Sequence, residues 1–233
     1  MTPLRAFDVD AAIRRAGCAA IAALLLASGP SLATTDAQLA TNARLLVSVR
    51  NEDAAGVGRA LHDGAVVDSR NRVGETSLLV ALKKNRADIA QALLDAGANV
   101  NIPAVNGVTP LMAAAYAGQA GIAEALLAKG ADAGATDRLG KNAMTYAAGE
   151  GRTDVVRLLL RHGVDPNAVY RNHLTALMWA AGYGHADTVR ALLDAGARID
   201  VVDNRGKSAL DIAREFRHAA TVEVLEQAQR RAH

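Results

Sequence analysis

Aromatic side chains are scarce in this chain: two Phe, four Tyr and one Trp among 233 residues. An ordinary core leans on rings for bulk, so this one has to be filled by Ala, Leu and Val. That favours closely packed helices over a sandwich or barrel, whose strands call for aromatic and β-branched residues. Cysteine occurs once, which excludes an intramolecular disulfide framework and a multi-cysteine zinc site. The formal charge is only +2, which argues against a strongly basic nucleic-acid binder. With 51% hydrophobic and 21% charged residues, the chain is also not of disordered composition.

Long apolar runs are missing as well. The apolar stretch Ala16–Ala27 has twelve residues, too few to span roughly 30 Å of hydrocarbon as a helix. Arg5, Arg14 and Arg15 precede it, and Ser31-Leu32-Ala33 follow Ser28-Gly29-Pro30. Charged start, short apolar middle and small residues at the cut are the order of a secretory signal. Cleavage is expected after Ala33, with export to the periplasm or beyond and no membrane association afterwards. The remaining chain, Thr34–His233, would then lack cysteine and carry 23 basic and 22 acidic residues. Nothing in it could mispair in an oxidising compartment.

A period of 33 residues organises the rest. Gly64, Gly97, Gly130, Gly163 and Gly196 form one ladder; Gly74, Gly107, Gly140, His173 and Gly206 form a second. Leu78, Leu111, Met144, Leu177 and Leu210 form a third, apolar ladder in the same step. Such a period marks a solenoid of stacked units. The units read 38–70, 71–103, 104–136, 137–169, 170–202 and 203–229. In unit 104–136, Asn106-Gly107 signals a turn, and Thr109-Pro110 caps and opens a helix that Gly118 stops. A second helix then runs to Lys129, and Gly130 ends it in the left-handed conformation. The alanine pairs Ala114-Ala115, Ala147-Ala148 and Ala180-Ala181 let helices approach closely. Leucine pairs such as Leu93-Leu94 and Leu126-Leu127 fill the space between units.

The stretches G-V-T-P-L-M-A-A-A-Y-A-G from Gly107 and L-T-A-L-M-W-A-A-G-Y-G-H-A-D-T-V-R-A-L-L-D-A-G-A from Leu174 resemble the ankyrin repeat. The phrase A-L-M-W-A-A-G-Y-G-H is especially similar to bacterial ankyrin proteins. The resemblance covers 38–229 and implies an all-α repeat solenoid of about six helix-turn-helix units with hairpin-like tips. Unit 38–70 reads as an N-terminal cap, and the polar last unit reads as a C-terminal cap. Two departures stand out. Tyr170 and His173 occupy positions where the family prefers Asp and Gly, and Asn142-Ala143 replaces Thr-Pro.

Catalytic signatures are absent: there is no G-x-S-x-G, no phosphate loop and no H-E-x-x-H. No cofactor, metal site or catalytic residue is expected. His185 and His218 stand one period apart, where the family places a loop-bonding histidine. Trp179 reads as packing between units. Asp137 and Asp203 read as hairpin residues bonding nearby backbone.

What the resemblance implies is a partner-binding surface: the hairpin tips and first-helix ends line a concave face that binds other proteins. Carried onto this chain, its residues are Arg72, Asn106, Arg138, Lys141, Arg171, Asn172, Arg205 and Lys207 at the tips. Lys83, Lys84, Tyr116 and Tyr183 belong to the helix ends. The wider set adds Glu75, Glu150, Glu215 and Phe216 among others, and in it eight basic residues face three acidic ones. The expected protein is therefore a non-enzymatic interaction module, monomeric on its own, that binds an acidic protein as a periplasmic scaffold or stabiliser. A secreted effector binding a host protein is the alternative.

Overall fold

The computed structural model describes residues 32–231. The charged and apolar parts of the expected export signal lie outside them, and the expected cut after Ala33 falls in the first turn of the first helix. Among the described residues there are twelve α-helices, one 3₁₀ turn and no strands.

Helix α1 spans Leu32–Arg50 and enters the repeat stack at Thr41; α2 spans Ala54–His62. Five helix pairs follow. Their first, inner helices are α3 (Ser77–Lys83), α5 (Pro110–Ala117), α7 (Ala143–Gly149), α9 (Ala176–Gly182) and α11 (Ala209–Glu215). Their second, outer helices are α4 (Ala87–Asp95), α6 (Ala120–Ala128), α8 (Thr153–Arg161), α10 (Ala186–Asp194) and α12 (Ala219–Arg231). Inner helices pack against the inner helices of adjacent units, and outer helices against outer ones. The molecule is an all-α repeat solenoid.

Each inner helix starts for the same local reason. Thr76, Thr109, Asn142, Thr175 and Ser208 stand 33 residues apart in extended backbone, and each side chain accepts a hydrogen bond from the backbone N–H three residues on. An orphan donor at the helix start is thereby satisfied. Asn142 does this without the usual proline behind it, and Thr145 Oγ1 accepts the Asn142 N–H in return at 2.9 Å. Gly118 ends α5 at φ +75, the left-handed conformation its position demands.

The core is aliphatic, as the scarcity of rings requires. Both members of each alanine pair are fully buried, and so are Leu78, Leu111, Met144 and Leu177 of the apolar ladder. Leu210, its fifth member, is only partly buried. Asparagines clip neighbouring units together. The Asn101 side chain accepts from the Asp132 N–H and donates to the Gly130 carbonyl, and Asn167 does the same with Arg198 and Gly196.

Candidate protein-binding face

The hairpin tips and the ends of the inner helices lie on one face. Lys83 at the end of α3 pairs with Glu75 of the preceding tip, and Lys207 of the last tip pairs with Glu215 at the end of α11. Lys141 of the 137–141 tip places its ammonium 4.4 Å from the centre of the Trp179 ring on α9.

Each tip is a short closed loop whose first residue donates its N–H to the carbonyl of the fifth, as in Asp137 to Lys141 and Asp203 to Lys207. Buried Asp137 and Asp203 hold the loop by accepting the N–H groups of Leu139 and Lys141, and of Arg205 and Lys207. Burial raises the Asp203 carboxyl, but the Lys207 and Arg205 donors around it outweigh this and hold it below its ordinary value. Tyr146 donates to the second Asp137 oxygen at 2.7 Å. Burial, together with that carboxylate, pushes the Tyr146 phenol well above its usual range. Tips also bond to one another: Arg138 N–H donates to the Asn106 carbonyl, and Asn204 N–H to that of Asn172.

The 170–174 tip is built differently. Tyr170 has no carboxylate to hold the loop; its half-buried phenol instead accepts from Asn142 Nδ2 at 3.1 Å. Arg171–His173 form the 3₁₀ turn, and Asn172 and His173 are both left-handed, at φ +62 and +58. In the other tips a single glycine takes that conformation; here two side-chain-bearing residues do.

The expected basic residues do not act as one field. Lys83 is neutralised by Glu75, Lys84 by Glu52, Arg205 by Asp203 and Lys207 by Glu215. Glu52 and Asp203 were outside the set counted from sequence, so the eight-to-three excess overstates the charge a partner meets. Arg72, Arg138 and Arg171 are exposed and make no side-chain hydrogen bond or ion pair among the described residues. Lys141 has no carboxylate partner there either and lies over the Trp179 and Tyr146 rings. Asn106 is exposed, and its side chain accepts the Val108 N–H. Asn172 is exposed on the altered tip.

Apolar exposure marks the same face more strongly. Of the eleven large exposed apolar residues among those described, six belong to it: Val73, Val105 and Leu139 on tips, and Tyr116, Tyr183 and Phe216 on helix ends. Tyr116 meets Tyr146 edge-on with ring centres 6.1 Å apart, and Trp179 stacks on Tyr183 at the same separation. Trp179 is thus more than packing between units: its ring is only partly buried and belongs to this face. The signal in the sequence was that one inner helix alone carries a tryptophan, but Gly149 and Lys141, which lie against its ring, stand 30 and 38 residues away.

His185 and His218 are structural. Their ring Nε2 atoms lie 2.9 and 3.0 Å from the carbonyl oxygens of Gly149 and Gly182 in the preceding units. Among the described residues no three His, Cys, Asp or Glu side chains cluster to hold a metal. No described helix is long and apolar enough to cross a membrane.

These features define a class: a helical repeat solenoid that presents a periodic, partly apolar face. The ankyrin-repeat family matches residues 44–137, 104–170 and 144–230, as three overlapping runs of repeats. The chain belongs to that family, whose repeats bind other proteins. No curated protein matches the chain as a whole closely enough to count as a relative.

Proposed function

We propose that this protein is an exported binding module that holds an acidic partner protein against its tip face, as a periplasmic scaffold or stabiliser. One observation carries the reading. Among the described residues, the tip face gathers most of the exposed large apolar side chains and the cations Arg138, Lys141 and Arg171, which no carboxylate there neutralises. Aromatic and arginine side chains in such a setting dominate protein interfaces, and uncompensated cations steer an acidic partner. Family membership supports interaction over catalysis. Export rests on the signal-like order of residues 1–33.

The test is affinity capture from cells with a C-terminal tag, wild type beside Arg138→Glu/Arg171→Glu. Both changes are at exposed residues whose side chains have no partner among the described residues, so circular dichroism should show an unchanged fold. An acidic protein captured by wild type and lost with the variant is the expected result. Equal capture by both overturns the proposed face. The mass of the recovered protein should begin at Thr34, and it should fractionate with the periplasm; a full-length mass in the cytoplasm overturns export.

A further inference from the structure

We infer that the groove between α9 and α11 is an anchor pocket, which takes a single large apolar side chain of a partner segment flanked by acidic residues. This rests on the binding reading above and adds the chemistry of what is bound.

The pocket follows from the repeat register. Tyr116, Gly149, Gly182 and Glu215 occupy the same position in successive units. At Gly149 a Cβ would meet both the Trp179 and the Tyr183 ring at ordinary contact distance, 3.7 and 3.8 Å, so the two rings lie directly against α7. At Gly182 a Cβ would press on Ile212 Cγ2 at 3.2 Å, so the bare backbone there and Ile212 together form part of the groove wall. The result is a groove of about 410 Å³ lined by Met178, Trp179, Tyr183, Ile212 and Phe216, with Arg205 at its edge. Tyr183 and Phe216 are 58% and 56% exposed. Rings left that exposed around a concavity are what an inserted apolar side chain would desolvate.

Charge decides the flanks. Arg205 is spent on buried Asp203, so it borders the groove as a neutral pair. Lys141 lies on the Trp179 ring that lines the groove. Arg138 belongs to the same tip as Lys141, and Arg171 sits against that tip, its Cβ 3.4 Å from where a side chain at Gly140 would begin. Among the described residues these three cations have no carboxylate of their own, and Glu150 is the one acidic residue of the face without an ion-pair partner. The occupant that satisfies both halves is an acidic segment with a Phe, Trp or Leu at its centre.

The probes are fluorescent heptapeptides with Asp/Glu flanks and a central Phe, Leu or Ala, and a Phe peptide with Lys flanks, titrated by anisotropy. The central Phe peptide should bind the full chain at least ten-fold tighter than the Ala peptide. Phe216→Ala and Tyr183→Ala, both at exposed positions, should each erase that ten-fold preference. Arg138→Glu/Arg171→Glu should erase the preference for acidic flanks and leave the preference for the central ring. Equal binding of the Phe and Ala peptides, no binding at all, or an unchanged preference in Phe216→Ala overturns the pocket. So does concentration-dependent dimerisation abolished by Phe216→Ala, which would make a second copy the occupant. If charge reversal abolishes capture of the whole partner while no peptide distinguishes Phe from Ala, the binding face stands and the anchor pocket falls. If charge reversal leaves capture unchanged and no peptide distinguishes Phe from Ala, both fall.

Discussion

His185 offers the sharpest test of how the units are held together. Its Nε2 meets the Gly149 carbonyl at 2.9 Å, and the other side of its ring faces Gly151. Gly151 is left-handed at φ +65, and a Cβ there would stand 2.5 Å from His185 Nδ1. His185→Ala leaves the carbonyl of a buried residue without its side-chain partner, a loss of about 1–3 kcal/mol. Gly151→Ala suffers twice, from backbone strain and from overlap with the ring. Gly130→Ala separates the two, because Gly130 is also left-handed, at φ +84, with nothing near its missing Cβ. It should cost only the backbone strain, about 1–2 kcal/mol. Gly151→Ala should exceed it by about 1–3 kcal/mol from overpacking. In a His185→Ala background that excess should vanish, so the double-mutant cycle returns a coupling of about 1–3 kcal/mol. Urea unfolding followed by far-ultraviolet circular dichroism reads all four variants. A Gly151→Ala cost that is the same with and without His185 would refute the latch.

Asp203 makes part of the stability depend on acid. Its folded carboxyl is held below the ordinary 3.8, so its contribution is present above that value and is lost as pH falls through the lower folded one. Asp203→Asn should cost about 1–3 kcal/mol at neutral pH and flatten the decline of urea midpoints below pH 4; an unchanged acid decline would show that Asp203 is not responsible. At the altered tip, His173→Gly should relieve the left-handed strain and raise stability by up to about 1 kcal/mol. A lower melting temperature would mean that the histidine side chain itself holds the tip.

Much of this molecule is readable from the amino-acid order because its causes are local. The 33-residue ladders placed the helix pairs, since a capping side chain acts three residues ahead and a left-handed glycine acts where it stands. Thr109 and Gly118 needed nothing but their own neighbours to bracket α5. The alanine and leucine pairs declared the buried faces for the same reason. The binding face was legible in outline, but its character was not. Charges counted along the chain made it broadly basic, whereas Glu52 neutralises Lys84 across 32 residues and Asp203 holds Arg205 from beneath. Likewise Trp179 became part of the face where Lys141 and Gly149, thirty-eight and thirty residues earlier, lie against its ring. Stacking decided these things: it sets which side chains from different units share a space, and electrostatic pairing and close packing act through space, not along the sequence.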